Sequence, residues 1–505
     1  MAAPLYRSHH PRPNFRSYFI SLQSPRTPSM TNGAVDPPDP FMVLVDAFIP
    51  IIDEVSALIV ENGGPSHPPF WGHIPFPPSV SPKERAAAQQ RAVAEGLLRY
   101  RRELEWPAED ILRERRASNP SAVRKLVAFG GWEAALYLAI LDGIEPHLEI
   151  PHPPGVASLV LSVSAGARDT FNQFPSGASI AGADHNIIAM YAGPYRPTFP
   201  PPGFYLVYDS LANSLAAVLP LPPSSASQFT HRGVGAGTAV LRHDPPSEYV
   251  LAELLYHRTS STQATLFTWC SSGAVAGQWI NKEVVLPFPL PSDPAYIFCA
   301  DVVFALGDNS ICWVDLLKGI LICDKVMDDP KFRFISLPKG YSRSWHPEQG
   351  RGRPRDFSSM CSVRGDTVRF VHMNPASDID DLITLTTWTL CISNSVWKKG
   401  GSFRIIDVWA DPTYEELKLP KKVPRCPILS LLDEEDGVVY LTVAENNCQY
   451  VFSVDVERRM VVSGNRLPPE GRQFSRIMAV EVTMHLNKRT PCTVEVKHEE
   501  GEGGP

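Results

Sequence analysis

A segment that recurs five times, with variation, constrains the fold more than any other feature of this chain. Each copy begins with an apolar stretch that ends near an aromatic residue and an Asp or Trp. A polar turn and a second strand-length stretch come next, and Leu-Pro often follows them. The copies start at Phe204, Ala264, Ile311, Thr384 and Tyr450. The starts lie 47 to 73 residues apart. Repeats of this length with several strands each predict a radial or stacked β architecture.

Strand-length apolar runs follow one another from about Val156, and turn residues separate them. Gly307-Asp308-Asn309, Gly365-Asp366 and Asp436-Gly437 tolerate positive φ, so each predicts a hairpin. Each unit then holds four antiparallel strands, an inner pair followed by the repeated outer pair, as in a propeller blade. A sheet sandwich is the alternative, but it has no reason to repeat at the level of four strands.

Two further runs predict a blade that closes the ring. SLVLSVS near residue 160 and SRIMAVEVTMHL from Ser475 are both strand-like. We therefore predict a mainly β protein with a β-propeller-like repeat domain of five or six blades, preceded by a small α-helical segment and a disordered N-terminus. The predicted regions are a disordered or targeting tail with an amphipathic segment and a Pro-rich linker (1–80), a small helical unit (81–145), the propeller-like domain (150–490) and a disordered tail (491–505).

The N-terminal regions carry two local predictions. The most apolar stretch begins at Phe41 and contains Asp46, Asp53 and Glu54, and each acid near a bilayer centre costs about 2.5–3.5 kcal/mol. An amphipathic helix, or a helix pair broken at Pro50, therefore fits better than a membrane span. Further on, the last helix of the helical unit is predicted from residue 132 to residue 142.

The first 35 residues contain four arginines, frequent Ser and Pro, and no acidic residue. This composition resembles an organelle transit peptide. A disordered tail, or an upstream extension before a start at Met30, are the alternatives. We expect a cytoplasmic or nuclear location, with organelle import through residues 1–35 left open.

The composition argues against several classes of function. A formal net charge of −7 gives no global basic field for nucleic acid. The nine cysteines include no C-x-x-C pair and predict buried thiols in a reducing compartment. The sequence contains no H-E-x-x-H motif, no His/Cys cluster at zinc spacing and no G-x-S-x-G nucleophile elbow. We therefore expect no catalytic residue, no metal, no cofactor, no membrane partner and no enzyme.

One hairpin carries a family resemblance. The segment ICWVDLLKGILICD contains Trp313, Asp315, Gly319 and Asp324, and Leu337-Pro338 follows it. This pattern is similar to the signature of a large plant family, expanded in grasses, that is catalogued as a domain of unknown function, number 1618. The resemblance covers roughly residues 150–485. It implies a fold like the propeller-like domains that follow F-boxes in plant proteins, and it implies no activity.

The carboxylates of that hairpin have two interpretations. Asp315 and Asp324 bracket the turn and could serve acid–base chemistry. Acceptance of hydrogen bonds from turn N–H groups, which fixes the hairpin, fits them better. Trp313 is predicted to be a core residue, so the signature is interpreted as structural.

A basic loop that starts at Lys339 is the strongest local hypothesis for binding. Arg351-Gly352-Arg353-Pro354, followed by Arg355, resembles the core of an AT-hook, in which an extended backbone places two arginines in an A·T-rich minor groove. Asp356 departs from the basic flank of that motif. The alternatives are a contact with phosphate or an acidic partner and a solvated loop between blades, and nucleic acid is the less favoured partner.

The helical unit suggests a different class of function. Ile111 and Leu112 follow a Pro and an acid, a Val-Arg-x-Leu-Val pattern comes later, and Trp132 follows it. This order resembles an F-box, the helical module that docks onto the adaptor of a ubiquitin ligase. A helical cap packed on the propeller is the alternative.

These features together predict a non-enzymatic interaction protein. The propeller scaffold would bind another macromolecule, an unidentified protein partner, through its rim loops. An F-box-like substrate adaptor of a ubiquitin ligase is the first alternative. A DNA-associated protein that acts through the basic loop is the second.

Overall fold

The structure is a computed structural model, and its strands begin near the N-terminus. It describes residues 41–46, 48–53, 124–127, 137–138, 140–149, 156–164, 177–192, 203–219, 221–222, 229, 237–243, 248–257, 260, 262–273, 276–288, 298–341, 352–363, 365–374, 383–431, 437–446, 448–467 and 477–482. Five strands come first: β1 (Phe41–Asp46), β2 (Phe48–Asp53), β3 (Arg124–Val127), β4 (Ile144–Glu149) and β5 (Val156–Val163).

Five blades of four antiparallel strands follow in chain order. Blade 1 consists of β6 (Gly177–Asp184), β7 (Ile187–Ala192), β8 (Phe204–Asp209) and β9 (Ser214–Val218). Blade 2 consists of β10 (Thr238–His243), β11 (Glu248–Tyr256), β12 (Gln263–Cys270) and β13 (Trp279–Val285). Blade 3 consists of β14 (Val302–Leu306), β15 (Ser310–Asp315), β16 (Gly319–Asp324) and β17 (Lys331–Ser336).

Blades 4 and 5 are joined by two short helices. Blade 4 consists of β18 (Ser358–Val363), β19 (Thr367–Met373), β20 (Thr384–Cys391) and β21 (Val396–Arg404). The helices are α1 (Ile405–Trp409) and α2 (Pro412–Glu416). Blade 5 consists of β22 (Arg425–Leu429), β23 (Val438–Glu445), β24 (Cys448–Asp455) and β25 (Met460–Arg466), and β26 (Ile477–Val482) comes last.

The sixth blade is built from both ends of the described chain. Its strand order is β26-β1-β5-β4, with β26 as the first, innermost strand. β1 pairs antiparallel with β26 and parallel with β5, and β2 continues along β5 and also pairs with β6 of blade 1. The first strands contact one another in the order β6, β10, β14, β18, β22, β26, and β26 contacts β6. The protein is therefore a closed six-bladed β-propeller. This confirms the predicted fold class and the ring-closing blade.

The prediction of an amphipathic helix from Phe41 is wrong, because this stretch forms β1 and β2. Met42 and Leu44 pack toward blade 5, whereas Val45 and Ile49 pack toward blade 1. Both faces of the strand are therefore buried. A strand with two buried faces is a continuous apolar run without the period of two. The propeller thus includes residues before 150, outside its predicted boundary.

The predicted helical unit is only partly helical where the structure describes it. Residues 137–138 and 140–142 are helical, and a turn at Gly143 ends that helix as predicted. Ile140 and Leu141 are fully buried between blades 6 and 1, which is the position of a cap packed on the propeller. Residues 124–127 form β3, however, which pairs parallel with β9 at the outer edge of blade 1. The unit is therefore attached to the ring rather than separate from it.

Apolar side chains fill the space between every pair of neighbouring blades, in six clusters. The second and third strands of blades 1 to 3 bury both faces, and their sequences are accordingly rich in consecutive apolar residues. Tryptophans add polar ties between blades. The Nε1 atoms of Trp279 and Trp397, at the start of the fourth strands of blades 2 and 4, donate to the carbonyls of Leu219 and Ser336 in the preceding blades, each at 2.8 Å.

The structure also corrects the register of the recurring segment. Four copies cover the third and fourth strands of a blade, as predicted, but the copy at Ile311 begins on β15, which is a second strand. The third strands begin at Phe204, Gln263, Gly319, Thr384 and Cys448. The mismatch arises because β15 of blade 3 also ends in an aromatic residue and an Asp.

Candidate functional site

The signature hairpin lies inside the propeller. Trp313 is fully buried, and its Nε1 atom donates a 2.7 Å hydrogen bond to the carbonyl of Gly237 at the entry to blade 2. Gly319 follows the turn, and a Cβ there would lie 2.7 Å from Cζ of Phe334 on β17 and would overlap the carbonyl of Ile335. Trp313 therefore links blade 3 to blade 2, in agreement with the prediction that it is a core residue, whereas Gly319 allows β16 and β17 to approach closely within blade 3.

The two carboxylates of this hairpin have structural partners. Asp315 is fully buried and accepts hydrogen bonds from the turn amide of Leu317 at 2.9 Å and the amide of Cys299 at 3.1 Å. This agrees with the structural interpretation of Asp315. Asp324 lies at the far end of β16, where Ser310 Oγ donates to it at 2.9 Å and Arg333 Nε at 3.0 Å. A side-chain hydroxyl and a guanidinium thus replace the expected turn amides.

The connection between blades 3 and 4 contains the basic loop. Arg353 is exposed and directly precedes a one-turn 3-10 helix, Pro354–Asp356, whose backbone closes through the Asp356 amide and the Arg353 carbonyl at 3.0 Å. The extended backbone that an AT-hook requires therefore ends at Arg353, and the hook remains a prediction. Gly352 has a φ of +67°, and Arg351 lies outside the described residues.

Both ends of this connection are fixed to blade 4. The Tyr341 ring lies edge-on to Trp388, with ring centroids 4.2 Å apart, and 5.2 Å from His372. At the other end the carbonyl of Phe357 accepts from the Met373 amide at 2.8 Å. The connection therefore begins and ends beside the first three strands of blade 4.

We define the connection face as the face of the ring that carries the links between successive blades. Because strands alternate in direction within a blade, the turn between second and third strands lies on this face too. The turns between first and second strands, and between third and fourth strands, lie on the opposite face. The connections from blade 3 to 4 and from blade 4 to 5 meet on the connection face, where Arg425 Nη1 lies 3.8 Å from Asp356 Oδ2.

Four basic residues of these two connections form what we call the basic cluster: Arg353, Arg355, Lys422 and Arg425. Both Arg355 and Arg425 act on the nearby thiol of Cys426. Burial, and then Asp356, raise the pKa of that thiol, while the two guanidinium groups oppose the rise. Lys422 Nζ lies 3.2 Å from Glu445 at the end of β23. The cluster thus lies beside the first two strands of blade 5.

A polar row that sequence reasoning missed crosses blade 4 on the same face. Ser358, His372, Thr386 and Ser402 occupy paired positions on the four strands. Ser358 Oγ lies 2.7 Å from His372 Nδ1, and Thr386 Oγ1 lies 2.9 Å from Ser402 Oγ. Ser358 is 4% exposed and His372 8%. The serine and histidine side chains are within hydrogen-bond distance of each other, but almost none of their surface is accessible to a substrate.

Blade 2 carries a polar group at the equivalent position, where the first residue of the first strand pairs with the second strand. Thr238 pairs with Glu253, and both are fully buried. The Tyr205 hydroxyl of blade 1 donates to Glu253, and Thr238 Oγ1 lies 3.3 Å from the Tyr205 hydroxyl. Burial, followed by the neighbouring Glu253, raises the pKa of Tyr205 well above its ordinary value. This group ties blade 1 to blade 2.

The sequence did contain the signal for the serine–histidine pair. The hairpin predicted at Gly365-Asp366 is present between β18 and β19. Counting outward from that turn places Ser358 opposite His372. The pair could therefore have been found by extending the predicted hairpin by register.

The predicted adaptor-docking residues Ile111, Leu112 and Trp132 lie outside the described residues. One part of the F-box resemblance can be compared with the structure. In its Val-Arg-x-Leu-Val pattern, residues 124–127 form β3. That part is therefore a strand at the edge of blade 1 and not part of a helical module.

The described residues contain neither a metal-binding cluster nor a membrane-spanning helix. In that part of the chain, no group of three or more His, Cys, Asp or Glu side chains is placed to hold a metal ion. No helix among the described residues is both long and apolar enough to cross a membrane. The cysteines in this part of the chain are free thiols: Cys270, Cys299, Cys312, Cys323, Cys361, Cys391, Cys426 and Cys448.

One family model matches the chain. Its description is "Protein of unknown function (DUF1618)", and the match covers residues 313–440, about a quarter of the sequence. It begins at Trp313 and ends in β23, and this confirms the family resemblance drawn from the signature hairpin. No curated protein matches the sequence.

Solved structures resemble the chain only remotely. A protein from Lactobacillus plantarum is 9% identical, with 67% of this chain and 82% of that chain covered and a TM-score of 0.30. The β-propeller domain of Cps50 (Swd1) from Myceliophteria thermophila is 10% identical, with 56% and 66% covered and a TM-score of 0.26. The β-propeller domain of the trilobed protease from Pyrococcus furiosus is 7% identical, with 60% and 96% covered and a TM-score of 0.28. Similarity this low supports no argument about function.

Proposed function

We propose that this protein is a non-enzymatic interaction scaffold whose connection face binds another macromolecule. The observation that carries the proposal is the basic cluster. Two connections between blades meet there, and they present Arg353, Arg355, Lys422 and Arg425 on a rigid frame. Connections held by a rigid scaffold are where binding residues most often lie, and arginines are frequent anchors of protein interfaces.

The polar groups inside the blades support a structural rather than a catalytic assignment. Asp315 and Glu253 are fully buried, and their carboxylates receive hydrogen bonds from within the propeller. Ser358 and His372 bond to each other across neighbouring strands with almost no exposed surface. A nucleophile must reach its substrate, so this pair is better suited to joining the first two strands of blade 4.

Affinity purification of the tagged full-length chain from cells of its source organism tests the scaffold role. One variant replaces the basic cluster with alanine: Arg353→Ala, Arg355→Ala, Lys422→Ala and Arg425→Ala. A matched variant removes four cations from the opposite face and outer strands: Lys331→Ala, Lys398→Ala, Lys399→Ala and Arg458→Ala. We expect partners to be lost only from the cluster variant. Equal recovery from both variants would contradict a binding role for the connection face.

Two controls separate the other classes of function. A fluorophosphonate probe that labels the protein, with labelling lost in Ser358→Ala, would overturn the non-enzymatic assignment. Recovery of ubiquitin-ligase subunits, lost on Ile111→Asp with Leu112→Asp but retained in the cluster variant, would instead favour the adaptor role. Deletion of residues 1–145 is unsuitable for this purpose because it also removes β1, β2 and β3.

A further inference from the structure

The partner's chemistry can be inferred from how the basic cluster is built. Its four cations come from two separate connections: Arg355 and Arg425, one from each, both act on the Cys426 thiol, and Lys422 lies 3.2 Å from Glu445 at the end of β23. Two acids, Asp356 and Glu445, lie among them. Among the described residues of these contacts, the four cations thus outnumber the two acids that pair with them, in a chain whose formal net charge is −7. This local excess opposes the sign of the whole molecule.

The existing ion pairs of the cluster are open to exchange. The side chains of Arg425 and Lys422 are 64% and 53% exposed. Arg425 is 3.8 Å from its acid, which is longer than a hydrogen bond. Exposed ion pairs of this kind contribute little to stability. A carboxylate from a partner can therefore replace Asp356 or Glu445 at small cost to the fold.

The arrangement favours a protein segment over nucleic acid. A nucleic-acid strand carries a phosphate at every nucleotide, so its backbone would meet Asp356 and Glu445 as well as the cations. The chain also turns into a 3-10 helix at Pro354, directly after Arg353, so the extended segment that a minor-groove hook requires ends there. A peptide can space its carboxylates to match the cations and avoid the acids. Guanidinium groups bind carboxylates in bidentate geometry.

We infer that the basic cluster binds a carboxylate-rich segment of a partner protein. This inference rests on the proposed scaffold function and names the chemistry of the partner at the same face. The specific contacts are ion pairs from Arg353 and Arg355 on one side and from Lys422 and Arg425 on the other. Affinity decreases as salt is raised, because exposed charges are screened.

Fluorescence anisotropy with the full-length chain tests the inference. The probes are a labelled peptide of repeated Glu-Ser-Glu-Gly, the same peptide with Gln for Glu, and a labelled A·T-rich DNA duplex. The test variant is Arg353→Glu with Lys422→Glu, which spares the Arg425–Asp356 pair. The matched control is Lys398→Glu with Lys399→Glu, which makes the same change in net charge at two exposed positions of β21.

We expect the Glu peptide to bind about tenfold more tightly than the Gln peptide, and the test variant to lose about tenfold in affinity. The matched control should change by less than about twofold. A second variant, Arg425→Gln, should weaken binding as well, and its unfolding temperature will show that the fold is intact.

Three results would overturn the inference. They are equal binding of the Glu and Gln peptides, equal losses in the test and control variants, and tighter binding of the duplex that is lost in the test variant. The last result would identify a nucleic-acid surface. If the Glu peptide does not bind but cellular partners still depend on the cluster, the scaffold function stands and only the acidic segment is wrong. If neither depends on the cluster, both proposals fail.

Discussion

Tyr205 shows how one hydroxyl can join two blades. Its side chain is fully buried on blade 1, and it donates to the fully buried Glu253 of blade 2. A buried acceptor that loses its donor costs about 1–3 kcal/mol. We expect Tyr205→Phe to lower the free energy of unfolding by that amount, as measured by urea denaturation.

A matched control for this substitution is Tyr208→Phe. The Tyr208 hydroxyl donates to Asn213 at 3.3 Å, at the partly exposed turn after β8. Water can replace that longer bond, so the loss should be about 1 kcal/mol or less. Equal losses for both tyrosines would mean that the hydrogen bond to Glu253 contributes no more to stability than the bond to Asn213.

Buried thiols make the free energy of unfolding depend on pH in the alkaline range. Burial raises the pKa of Cys323 from 9.0 to about 12, and Asp324 adds to the rise. The folded state thus retains the proton that an unfolded thiol releases near its ordinary pKa. This contribution to stability is complete below pH 9.0 and is lost as pH rises toward about 12.

The corresponding measurement is urea unfolding of the wild type and Cys323→Ala between pH 8 and pH 11. The wild type should lose stability more steeply with pH than the variant, because the variant lacks the proton that couples to folding. Parallel curves would show that this thiol does not contribute. Alkylation in the folded state should be slow at pH 8 and become complete on denaturation, since the thiolate is the reactive form.

At the scale of single elements, the hairpin β15–β16 depends on a residue without a side chain. A Cβ at Gly319 would lie 2.7 Å from the Phe334 ring and overlap the carbonyl of Ile335 on β17. We expect Gly319→Ala to lower the free energy of unfolding by about 1–3 kcal/mol, because the fourth strand of the blade must move. Thermal unfolding measures the change.

Gly365→Asn is the matched control for the hairpin. Gly365 has a φ of +69°, and no atom lies within 4 Å of a Cβ placed there. Asn tolerates this backbone conformation, so the unfolding temperature should change little. A loss as large as that of Gly319→Ala would indicate that any glycine substitution in these turns is harmful, whatever the space around it.

Elements differed in how far the sequence could predict them. The predicted turns at residues 307–309 and 365–366 are present, and the recurring segment predicted the blades. The copy at Ile311 was one strand out of register because two successive strands of blade 3 have similar ends. The stretch that forms β1 and β2 was mistaken for helix because the two buried faces of β1 hide the period of two. The sequence contains no local sign that a parallel strand, β3, joins blade 1.

The candidate site was less predictable than the fold. Arg353 and Arg355 were singled out from the sequence, but Lys422 and Arg425 were not, because only the ring brings the two connections together. The helical turn at Pro354–Asp356 also follows from contacts, since Phe357 packs into the core between blades 4 and 5. Charge pattern therefore located half of the cluster, and topology supplied the rest.

The whole molecule depends on the closing blade. β1 lies between β26 and β5 in that blade, and it buries Met42, Leu44 and Val45, while β2 buries Ile49. Burial of such a side chain contributes about 1.5–3 kcal/mol. A chain that lacks residues 1–53 should therefore lose about 6 kcal/mol or more and become less compact.

Size-exclusion chromatography and thermal unfolding measure this effect. A chain that lacks only residues 1–35 is the matched control, since it retains both strands and should behave like the full chain. If the two truncated chains unfold alike, β1 and β2 are not required for closure of the ring.

The composition of the closing blade also sets the order of events during synthesis. β1 leaves the ribosome about 430 residues before its antiparallel partner β26. Until β26 has been made, the nascent chain therefore carries an unpaired strand edge, which is a site for mispairing and for chaperone binding. A chain terminated before Ile477 would keep that edge open. Ring closure thus distinguishes a chain that contains β26 from one that ends before it.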